Sequence, residues 1–329
     1  MSEANHERAL LQRLAMGPVG GDTLAREAGL TRAAVWKRIG ALREAGIAIA
    51  ASPGRGYQLE QPLDLLDAEA IRAGMPDAAQ TQLAALDIAW SLDSTNSELL
   101  RRDTPARGCA VLLAERQSGG RGRRGRVWAS PLAAHVYLSI ARRFDGGLGR
   151  LGGLSLVAGI AACEALRALG HAQVALKWPN DLVVADGSGL RKLGGLLVEG
   201  GGEAAGAARA VIGLGVNVRM PPETAQVIDQ PWIDLAALSP RPPSRNAVVA
   251  ALLAQLLPAL QQFDSEGLAP FLPRYAALDA LAGRALQVQA GDGAWPAVAL
   301  GIADDGALRV RAADGCERLV HAGDVSVRA

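Results

Sequence analysis

The first 60 residues carry the apolar spacing of three short helices followed by two short strands. Apolar residues recur at intervals of three and four, and the last apolar stretch is divided by a Pro-Gly turn. The residues behind this prediction are Leu10, Leu11 and Leu14 on the first helix, Asp22 and Thr31 as caps of the second and third, Val35, Ile39 and Leu42 on the third, and Pro53 and Gly54 in the turn. Two helices about a tight turn and then a hairpin predict a winged helix-turn-helix over residues 1–62.

The pattern changes after residues 63–82, which we interpret as a linker because prolines, aspartates and a glycine interrupt the apolar spacing. Between 83 and 281, short apolar runs typical of strands alternate with longer helical stretches. The strand-like runs are CAVLLAE (109–115), HVYLSIA (135–141), DLVVA (181–185) and AVIGLGV (210–216), and the helical stretches are 151–169 and 246–263. Short strands and Asp-Gly turns over 282–329 predict a small β-barrel. We therefore expect an α+β multidomain chain with a central mixed α/β domain.

Composition limits the classes of function. The chain has 34 basic and 33 acidic residues, a net charge of +1, which excludes a uniformly basic nucleic-acid coat but not a local basic surface. The three cysteines are far apart and form no CxxC pair, which indicates a reducing compartment. The four histidines lack metal-ligand spacing, so we expect no resident metal site. The N-terminus lacks a signal peptide, and the apolar stretch 151–163 is too short to span a bilayer; a cytoplasmic protein without a membrane segment is expected.

Basic residues in the first domain concentrate on its third helix and its hairpin. Residues 32–55 contain five basic residues and one acidic residue, a net charge of +4. Such a surface suits the phosphates of DNA, while polar and aromatic side chains on the helix could reach base edges. The residues expected to contact DNA are Arg32, Trp36, Lys37, Arg43 and Arg55. The alternative is a solvated helical face of ordinary arginine content.

The strongest chemical signal is the run SGGRGRRGR over residues 118–126. Five arginines and no acidic residue lie within 116–126. Glycines let the backbone approach an anion closely, and guanidinium groups bind phosphate or carboxylate through two hydrogen bonds. The run predicts a mobile loop that closes on a triphosphate, a carboxylate or both. It contains no GxxxxGK[ST] pattern, and the alternative is a flexible segment that binds nucleic acid without specificity.

Three weaker signals lie at the ends of predicted strands. Lys177 opens the segment KWPND and could stabilise charge on a transferring phosphoryl group, while Asn180 or Asp181 could hold a metal ion or a polar ligand. The segments STN (94–96) and GLGVN (213–217) offer small polar side chains for ligand hydrogen bonds. Each segment could equally be structural, as a strand-end turn or a helix cap.

Taken in order, these segments resemble one family, the biotin protein ligases, in the bacterial form that also represses the biotin operon. The matching segments are DSTN (93–96), QSGGRGRRGR (117–126), KWPND (177–181), KLGGLLVE (192–199) and GLGVN (213–217), with the wing PGRGY (53–57) and the C-terminal AGDVSVR (322–328). The resemblance covers nearly the whole chain. It implies a class II synthetase-like ligase domain over 83–281 and an SH3-like barrel over 282–329.

The resemblance implies a reaction in two steps. The carboxylate of biotin attacks the α-phosphate of ATP, with Mg²⁺, and a lysine of a biotin carboxyl carrier protein then attacks the biotinyl-5′-AMP. The residues that it assigns are Lys177, Arg121, Arg123 and Asp181 to catalysis; Ser94, Thr95, Asn96, Gln117, Arg121, Gly122, Arg123 and Lys177 to biotin; and Gly120, Arg123, Asn217 and Trp232 to the adenylate. It also implies a homodimer that binds operator DNA when the adenylate is bound.

Three alternatives remain at this point. The chain could be a transcription factor that senses biotin but has lost catalysis, although the intact GRGRRGR and Lys177 argue against this. It could ligate lipoate, but the RRxSGGGxVxHD-like segment expected of such ligases is missing from the sequence. It could also be a ligase whose N-terminal domain orders the catalytic site without repressing transcription.

Overall fold

Three structural units follow one another in the computed structural model, which describes residues 3–52, 54–187, 189–202, 208–290, 293–321 and 325–328. The first unit contains α1 (Glu3–Ala15), α2 (Gly21–Ala28), α3 (Arg32–Glu44), β1 (Ile49–Ser52) and β2 (Gly56–Leu59). The predicted helix-turn-helix and hairpin are confirmed, and the side chain of Thr31 caps α3 by accepting from the Ala34 amide at 3.2 Å. The predicted turn residue Pro53 lies outside the described residues.

The prediction that Asp22 caps the second helix is wrong. Helix α2 begins at Gly21, with Gly20 in the cap position and no side-chain cap. The hairpin sets this start, because Val19 and Tyr57 exchange two backbone hydrogen bonds of 2.9 Å immediately before the helix. Asp22 instead lies in the first turn, where the helix dipole favours a carboxylate.

The central unit is built on a mixed sheet with the strand order β3-β4-β5-β9-β8-β7-β6. Its strands are β3 (Leu83–Leu92), β4 (Cys109–Gln117), β5 (Val136–Phe144), β6 (Val174–Lys177), β7 (Asp181–Asp186), β8 (Gly189–Gly202) and β9 (Ala208–Val216). Its helices are α4 (Ala68–Ala73), α5 (Asp77–Gln80), α6 (Thr95–Arg101), α7 (Leu154–Ala168), α8 (Pro222–Ala225), α9 (Leu235–Leu238), α10 (Arg245–Glu266) and α11 (Leu272–Ala276), with 3₁₀ turns at Arg123–Gly125, Leu148–Leu151 and Ala269–Phe271. Strands β3 and β4 run parallel, and the other neighbours run antiparallel. The predicted mixed α/β domain is confirmed.

Residues 63–82, predicted to be a linker, contain α4 and α5 and belong to the core. Ile71, Met75 and Ala79 are buried in the same apolar cluster as the central sheet. Ile71 lies on α4, Ala79 lies on α5, and Met75 lies between the two helices. Asp67 caps α4 by accepting from the Ala70 amide at 2.7 Å. The prolines and the glycine that flank these short helices interrupt the apolar spacing, so the sequence pattern did not reveal them.

Two helical segments of this unit are long and apolar enough to cross a membrane by length and composition alone, Leu148–Ala168 and Arg245–Glu266. The stretch 151–163, judged too short to span a bilayer, lies within the first of these segments, which has 21 residues, so its length alone does not exclude a span. More than half of each segment is buried inside the protein. Helices α7 and α10 pack against each other, so both are core helices of this unit.

A buried ion pair fastens the start of α10 to the sheet. The Arg245 guanidinium donates to one Glu115 carboxylate oxygen at 2.7 and 2.8 Å, and both side chains are almost fully buried. The other carboxylate oxygen accepts from the Leu66 amide at 2.7 Å. The same guanidinium donates to the carbonyl oxygens of His135 and Asp64, at 3.0 and 2.8 Å. One ion pair thus joins β4, β5, α10 and the segment that precedes α4.

Buried His135 makes this unit sensitive to acid. Burial, aided by the nearby Arg245 charge, lowers the pKa of His135 to about 3, and its Nδ1 accepts from the Val218 amide at 3.1 Å. As the pH falls from about 6.5 to about 3, the unfolded chain binds a proton at His135 but the folded chain does not. The unfolding free energy therefore decreases over this pH range. From pH 8 to pH 5 we expect this histidine to remove about 2 kcal/mol of unfolding free energy, measured in urea.

The variant His135→Asn tests this origin, because its side-chain oxygen can replace Nδ1 as the acceptor but does not titrate. We expect its unfolding free energy to change less between pH 8 and pH 5 than that of the native protein. The exposed His321 provides the control, and His321→Gln should keep the full pH dependence. An unchanged pH dependence in His135→Asn would refute the assignment.

The third unit is a small antiparallel sheet with the order β13-β12-β11-β10-β14, as the predicted barrel requires. Its strands are β10 (Ala285–Ala290), β11 (Gly293–Ile302), β12 (Leu308–Ala312), β13 (Glu317–Val320) and β14 (Val325–Arg328). Of the predicted closing strand, residues 322–324 lie outside the described residues. The unit contacts the central one where the Trp178 indole N–H donates to the Gly306 carbonyl at 3.0 Å.

The first unit packs on two segments of the central one. Leu132 is buried in the apolar cluster of the helix-turn-helix, together with Leu10 and Leu14. The Trp90 indole N–H donates to the Glu7 carboxylate at 2.9 Å. Helix α1 therefore lies against β3 and against the segment that precedes β5.

Candidate active site

A cavity of about 920 Å³ opens on the central sheet and collects most of the residues singled out in the sequence. The predicted site residues on its wall are Ser94, Thr95, Asn96, Gln117, Arg121, Gly122, Arg123, Lys177, Asp181, Asn217 and Trp232. Gly120 is not among the lining residues; a Cβ there would lie 2.6 Å from Ser130 Oγ, so it packs behind the wall. Segments more than 100 residues apart therefore form one site.

One end of the cavity is a closed network of polar side chains at the start of α6. The amide and hydroxyl of Thr95 donate to Gln117 Oε1 at 2.8 and 3.2 Å. The Ser139 hydroxyl lies 2.7 Å from Thr95 Oγ1 and 2.6 Å from Asn96 Oδ1. Ser94 caps α6 through a 3.4 Å contact with the Ser97 amide. Ser94, Thr95, Asn96 and Ser139 are buried, and Gln117 is partly buried. Because these side chains fix one another, they form a preorganised hydrogen-bonding surface.

Two glycines of β9 make room for this network and for an aromatic wall. A Cβ at Gly213 would lie 2.3 Å from Asn96 Oδ1, and a Cβ at Gly215 would lie 2.6 Å from the Trp128 ring. The GLG segment is therefore a strand whose missing side chains let Asn96 and Trp128 approach the sheet. The spacing alone could not show this, because the close neighbours come from α6 and from the arginine-rich loop.

The sequence resemblance implies biotin as the ligand of this cavity, and on that expectation Gly215→Ala should raise the Kd for biotin about tenfold to a hundredfold, because a methyl group would push Trp128 off the sheet. Isothermal titration calorimetry measures the change. Gly201→Ala is the matched control, since a Cβ at that glycine of neighbouring β8 meets nothing within 4 Å. Equal affinities in the two variants would contradict a role for Trp128 as a cavity wall.

The arginine-rich loop folds over the cavity as a tight hairpin. The Gly122 amide donates to the Arg126 carbonyl at 2.7 Å. The Arg121 guanidinium donates to Ser97 Oγ at 2.9 Å, and Arg123 donates to Asn180 Oδ1 at 3.2 Å. Burial, followed by the charge of Arg124, lowers the pKa of Arg123. A partly desolvated cation of this kind is stabilised by any anion that enters the cavity.

A further cation on the wall, Lys192 of β8, was missed as a site residue. Its ammonium group lies 2.9 Å from Asp181 Oδ1 and 5.5 Å from the centre of the Trp128 ring. Asp181 thus stands in an ion pair rather than alone. The composition offered a signal, because lysine is rare in this chain. Only three of the 34 basic residues are lysines, at 37, 177 and 192, and two of these three line the cavity.

Asn217 and Trp232 form the wall beyond Lys192. Asn217 is buried, and its amide donates to the Ile233 carbonyl at 3.0 Å. The backbone of Lys192 bonds to the segment on both sides of Trp232, accepting from the Ile233 amide and donating to the Pro231 carbonyl, each at 2.9 Å. Asn217 therefore fixes the segment that carries Trp232, and both residues line the cavity.

The expected DNA-contacting residues lie on α3 and the hairpin and are exposed, with different internal partners. Trp36, Lys37 and Arg55 are exposed. Arg32 forms a 3.1 Å ion pair with Asp22. Arg43 donates to the Ile49 carbonyl at 2.9 and 2.7 Å, which ties α3 to the first strand of the hairpin.

Comparisons with known proteins agree with this organisation. Family models described as "Biotin/lipoate A/B protein ligase family", "HTH domain" and "Biotin protein ligase C terminal domain" match residues 90–217, 6–58 and 283–328. The chain is 39% identical to "Bifunctional ligase/repressor BirA" of Salmonella typhimurium, covering 100% of this chain and 99% of that one. It is 40% identical to the protein of the same name from Escherichia coli, covering 94% and 92%.

A solved structure shares the fold over three quarters of this chain. The biotin protein ligase from Aquifex aeolicus in complex with biotin and ATP has a TM-score of 0.61 and 24% sequence identity, covering 75% of this chain and 98% of that one. Full-length identity near 40%, together with three family matches in the predicted order, assigns the family. The chain belongs to the bifunctional ligase/repressors, which are biotin protein ligases that carry an N-terminal helix-turn-helix domain.

Proposed function

We propose that the cavity activates biotin with ATP to biotinyl-5′-AMP and holds the adenylate until a carrier lysine consumes it. One observation carries this proposal: a single cavity of about 920 Å³ has a preorganised polar end and a cationic wall. The polar end would bind the ureido ring of biotin through Ser94, Thr95, Asn96 and Gln117. The cationic wall lies where the carboxylate of biotin would meet the triphosphate.

The positively charged side chains are needed because both reactants are negatively charged. A carboxylate must approach an α-phosphate although both are anionic, so the site has to neutralise charge before they react. Arg121, Arg123, Lys177 and Lys192 would supply this positive charge. Trp232 would stack on the adenine, and Asn217 would hold the Trp232 segment in place. A closed loop over the anhydride would exclude water and slow its hydrolysis.

Mg²⁺ enters this proposal only as the counter-ion of ATP. Within the part of the chain that the structure describes, no three His, Cys, Asp or Glu side chains lie close enough to hold a metal ion. Asp181 on the cavity wall is already in an ion pair with Lys192 at 2.9 Å. A magnesium ion that enters with ATP would take its ligands from triphosphate oxygens, water and one or two carboxylates, and Asp181 is a carboxylate on the cavity wall.

Arg123→Ala should raise the release of biotinyl-5′-AMP about tenfold or more, because the variant loses a charge-assisted contact to the adenylate. Release is measured by trapping the free adenylate with hydroxylamine in the absence of carrier. Arg107→Ala removes an exposed arginine outside the cavity and serves as the charge-matched control. If both variants retain the adenylate equally well, Arg123 does not close the site.

Transfer, assembly and location complete the proposal. A lysine amine on a biotin carboxyl carrier protein would attack the anhydride carbonyl and release AMP. The adenylate-bound chain would form a homodimer in the cytoplasm and bind a two-part operator, using the basic surface of α3 and the hairpin. The support is the named activity of relatives near 40% identity and the exposure of Trp36, Lys37 and Arg55.

The decisive experiment incubates the full-length protein with a carrier domain, biotin, ATP and Mg²⁺ and measures the mass of the carrier. A gain of one biotinyl group that needs every component supports the proposal. If biotin binds but the carrier mass never changes, the chain is instead a biotin sensor without catalysis. Lipoate in place of biotin should give no mass shift, which tests the remaining alternative substrate.

A further inference from the structure

The outer face of α3 presents one large aromatic side chain to solvent. Val35, Ile39 and Leu42 are buried, so the helix packs its other side against the domain. Trp36 is 71% exposed, and no described ring lies against it. A single exposed apolar residue is ordinary on a protein surface. The meaning of Trp36 therefore depends on what lies beside it.

One turn further along the same face, the helix has no side chain at all. Gly40 lies in the interior of α3, where glycine is less favourable than alanine by about 1 kcal/mol. A Cβ at Gly40 would meet nothing within 4 Å, and the backbone there has no positive φ. Neither internal packing nor backbone geometry calls for glycine. The remaining physical reason is the close approach of another molecule to the helix backbone.

The charges around this face indicate an anionic partner. Lys37, the next residue along the helix, is exposed, and residues 32–55 carry a net charge of +4. Arg32 pairs with Asp22, but both side chains are more than 70% exposed, so the pair is weak and a phosphate can compete for the guanidinium. Duplex DNA offers a phosphate backbone and, in its major groove, an apolar group at each thymine.

We propose that Trp36 reads sequence by packing its indole against the C5-methyl group of a thymine, and that Gly40 lets the helix backbone descend into the major groove. This inference rests on the proposed function of the N-terminal domain as a DNA-binding unit. It adds a specificity-determining residue to that function. The indole face covers the thymine methyl and excludes water, whereas cytosine offers no methyl group at that position.

The experiment starts from duplexes that the adenylate-loaded native protein enriches from a random-sequence library. Each thymine of the enriched site is replaced in turn by deoxyuridine, which removes only the C5-methyl group, and binding is measured by fluorescence anisotropy at fixed salt. For the native protein, one replacement should weaken binding about fourfold, the value of one buried methyl group. For Trp36→Ala, the unmodified duplex should bind about tenfold or more weakly, and that replacement should have no further effect.

Two further variants separate reading of DNA from folding. Met16→Ala removes another exposed apolar side chain of the same domain and should keep the deoxyuridine effect. Gly40→Ala should raise the melting temperature of the first unit, because alanine favours the helix, yet weaken binding to every duplex. Carrier biotinylation by Trp36→Ala should equal that of the native protein, since α3 lies outside the cavity.

The outcomes are distinct. If the native protein enriches no sequence, the proposed DNA function fails and this inference fails with it. If it enriches a site but no thymine position responds to deoxyuridine, or if Trp36→Ala keeps the response, only the present inference is overturned. Unchanged DNA binding by Trp36→Ala would also overturn it and would turn attention to a protein partner for this face.

Discussion

Replacing Lys192 by glutamine should lower the rate of biotinyl-5′-AMP formation by about 10²- to 10³-fold. The ammonium group is fixed by Asp181 at 2.9 Å on the cavity wall, where it can stabilise charge that develops on the α-phosphate. Glutamine is one bond shorter than lysine; it keeps a hydrogen-bond donor but removes the charge. The rate is measured as pyrophosphate release in a single turnover, with biotin and ATP both saturating.

Two matched variants make the result specific. Lys37→Gln removes the one lysine that lies outside the cavity, on α3, and should leave the rate unchanged. Lys177→Gln removes the lysine that the sequence singled out. Comparing its rate with that of Lys192→Gln shows how much each cavity lysine contributes to adenylate formation. A Lys192→Gln enzyme that forms adenylate within about threefold of the native rate would contradict a role in the chemical step.

Replacing Glu115 by glutamine should lower the unfolding free energy of the central unit by about 3–5 kcal/mol. The variant leaves the Arg245 guanidinium charged and buried, with no counter-charge against it. For a unit of this size the melting temperature should fall by roughly 10 °C. Differential scanning calorimetry gives both quantities at pH 8, where His135 does not titrate in either state.

A surface ion pair provides a control that separates the loss of a buried counter-charge from the loss of an exposed one. Glu317→Gln breaks the 3.0 Å pair between Glu317 and Arg309, whose side chains are both exposed, and should lower the unfolding free energy far less than Glu115→Gln does. The double variant Glu115→Leu and Arg245→Met removes both buried charges and should recover part of the loss. A single Glu115→Gln variant as stable as Glu317→Gln would mean that the buried charge is compensated in another way.

Local patterns were sufficient for the order of the units and for most strands. Caps, glycines and apolar spacing act over a few residues, so Thr31 and the run over 109–115 could be interpreted without knowledge of the fold. The errors arose where the local conformation depends on contacts with a distant segment of the chain. Asp22 lost its capping position because the hairpin residue Tyr57 fixes the chain just before α2.

In the candidate site, too, some residues could be predicted from local patterns and others depended on distant segments. The polar and cationic segments could be found because several functional residues stand together in each short motif. Lys192 could not be assigned in this way, since its partner Asp181 is known only once β7 and β8 pair across a β-bulge. Nor could the sequence show that Gly120 packs behind the wall and that Asn217 supports the wall through the Ile233 carbonyl.

The scarcity of lysine has a consequence for a protein that makes an acylating reagent. Biotinyl-5′-AMP modifies any amine that is both unprotonated and within reach, whereas a guanidinium group is a poor nucleophile. Only three of the 34 basic side chains carry an amine, and Lys192 forms an ion pair with Asp181. An arginine-rich chain therefore supplies positive charge with few amines that its own reagent could acylate, and two of those three amines lie on the cavity wall.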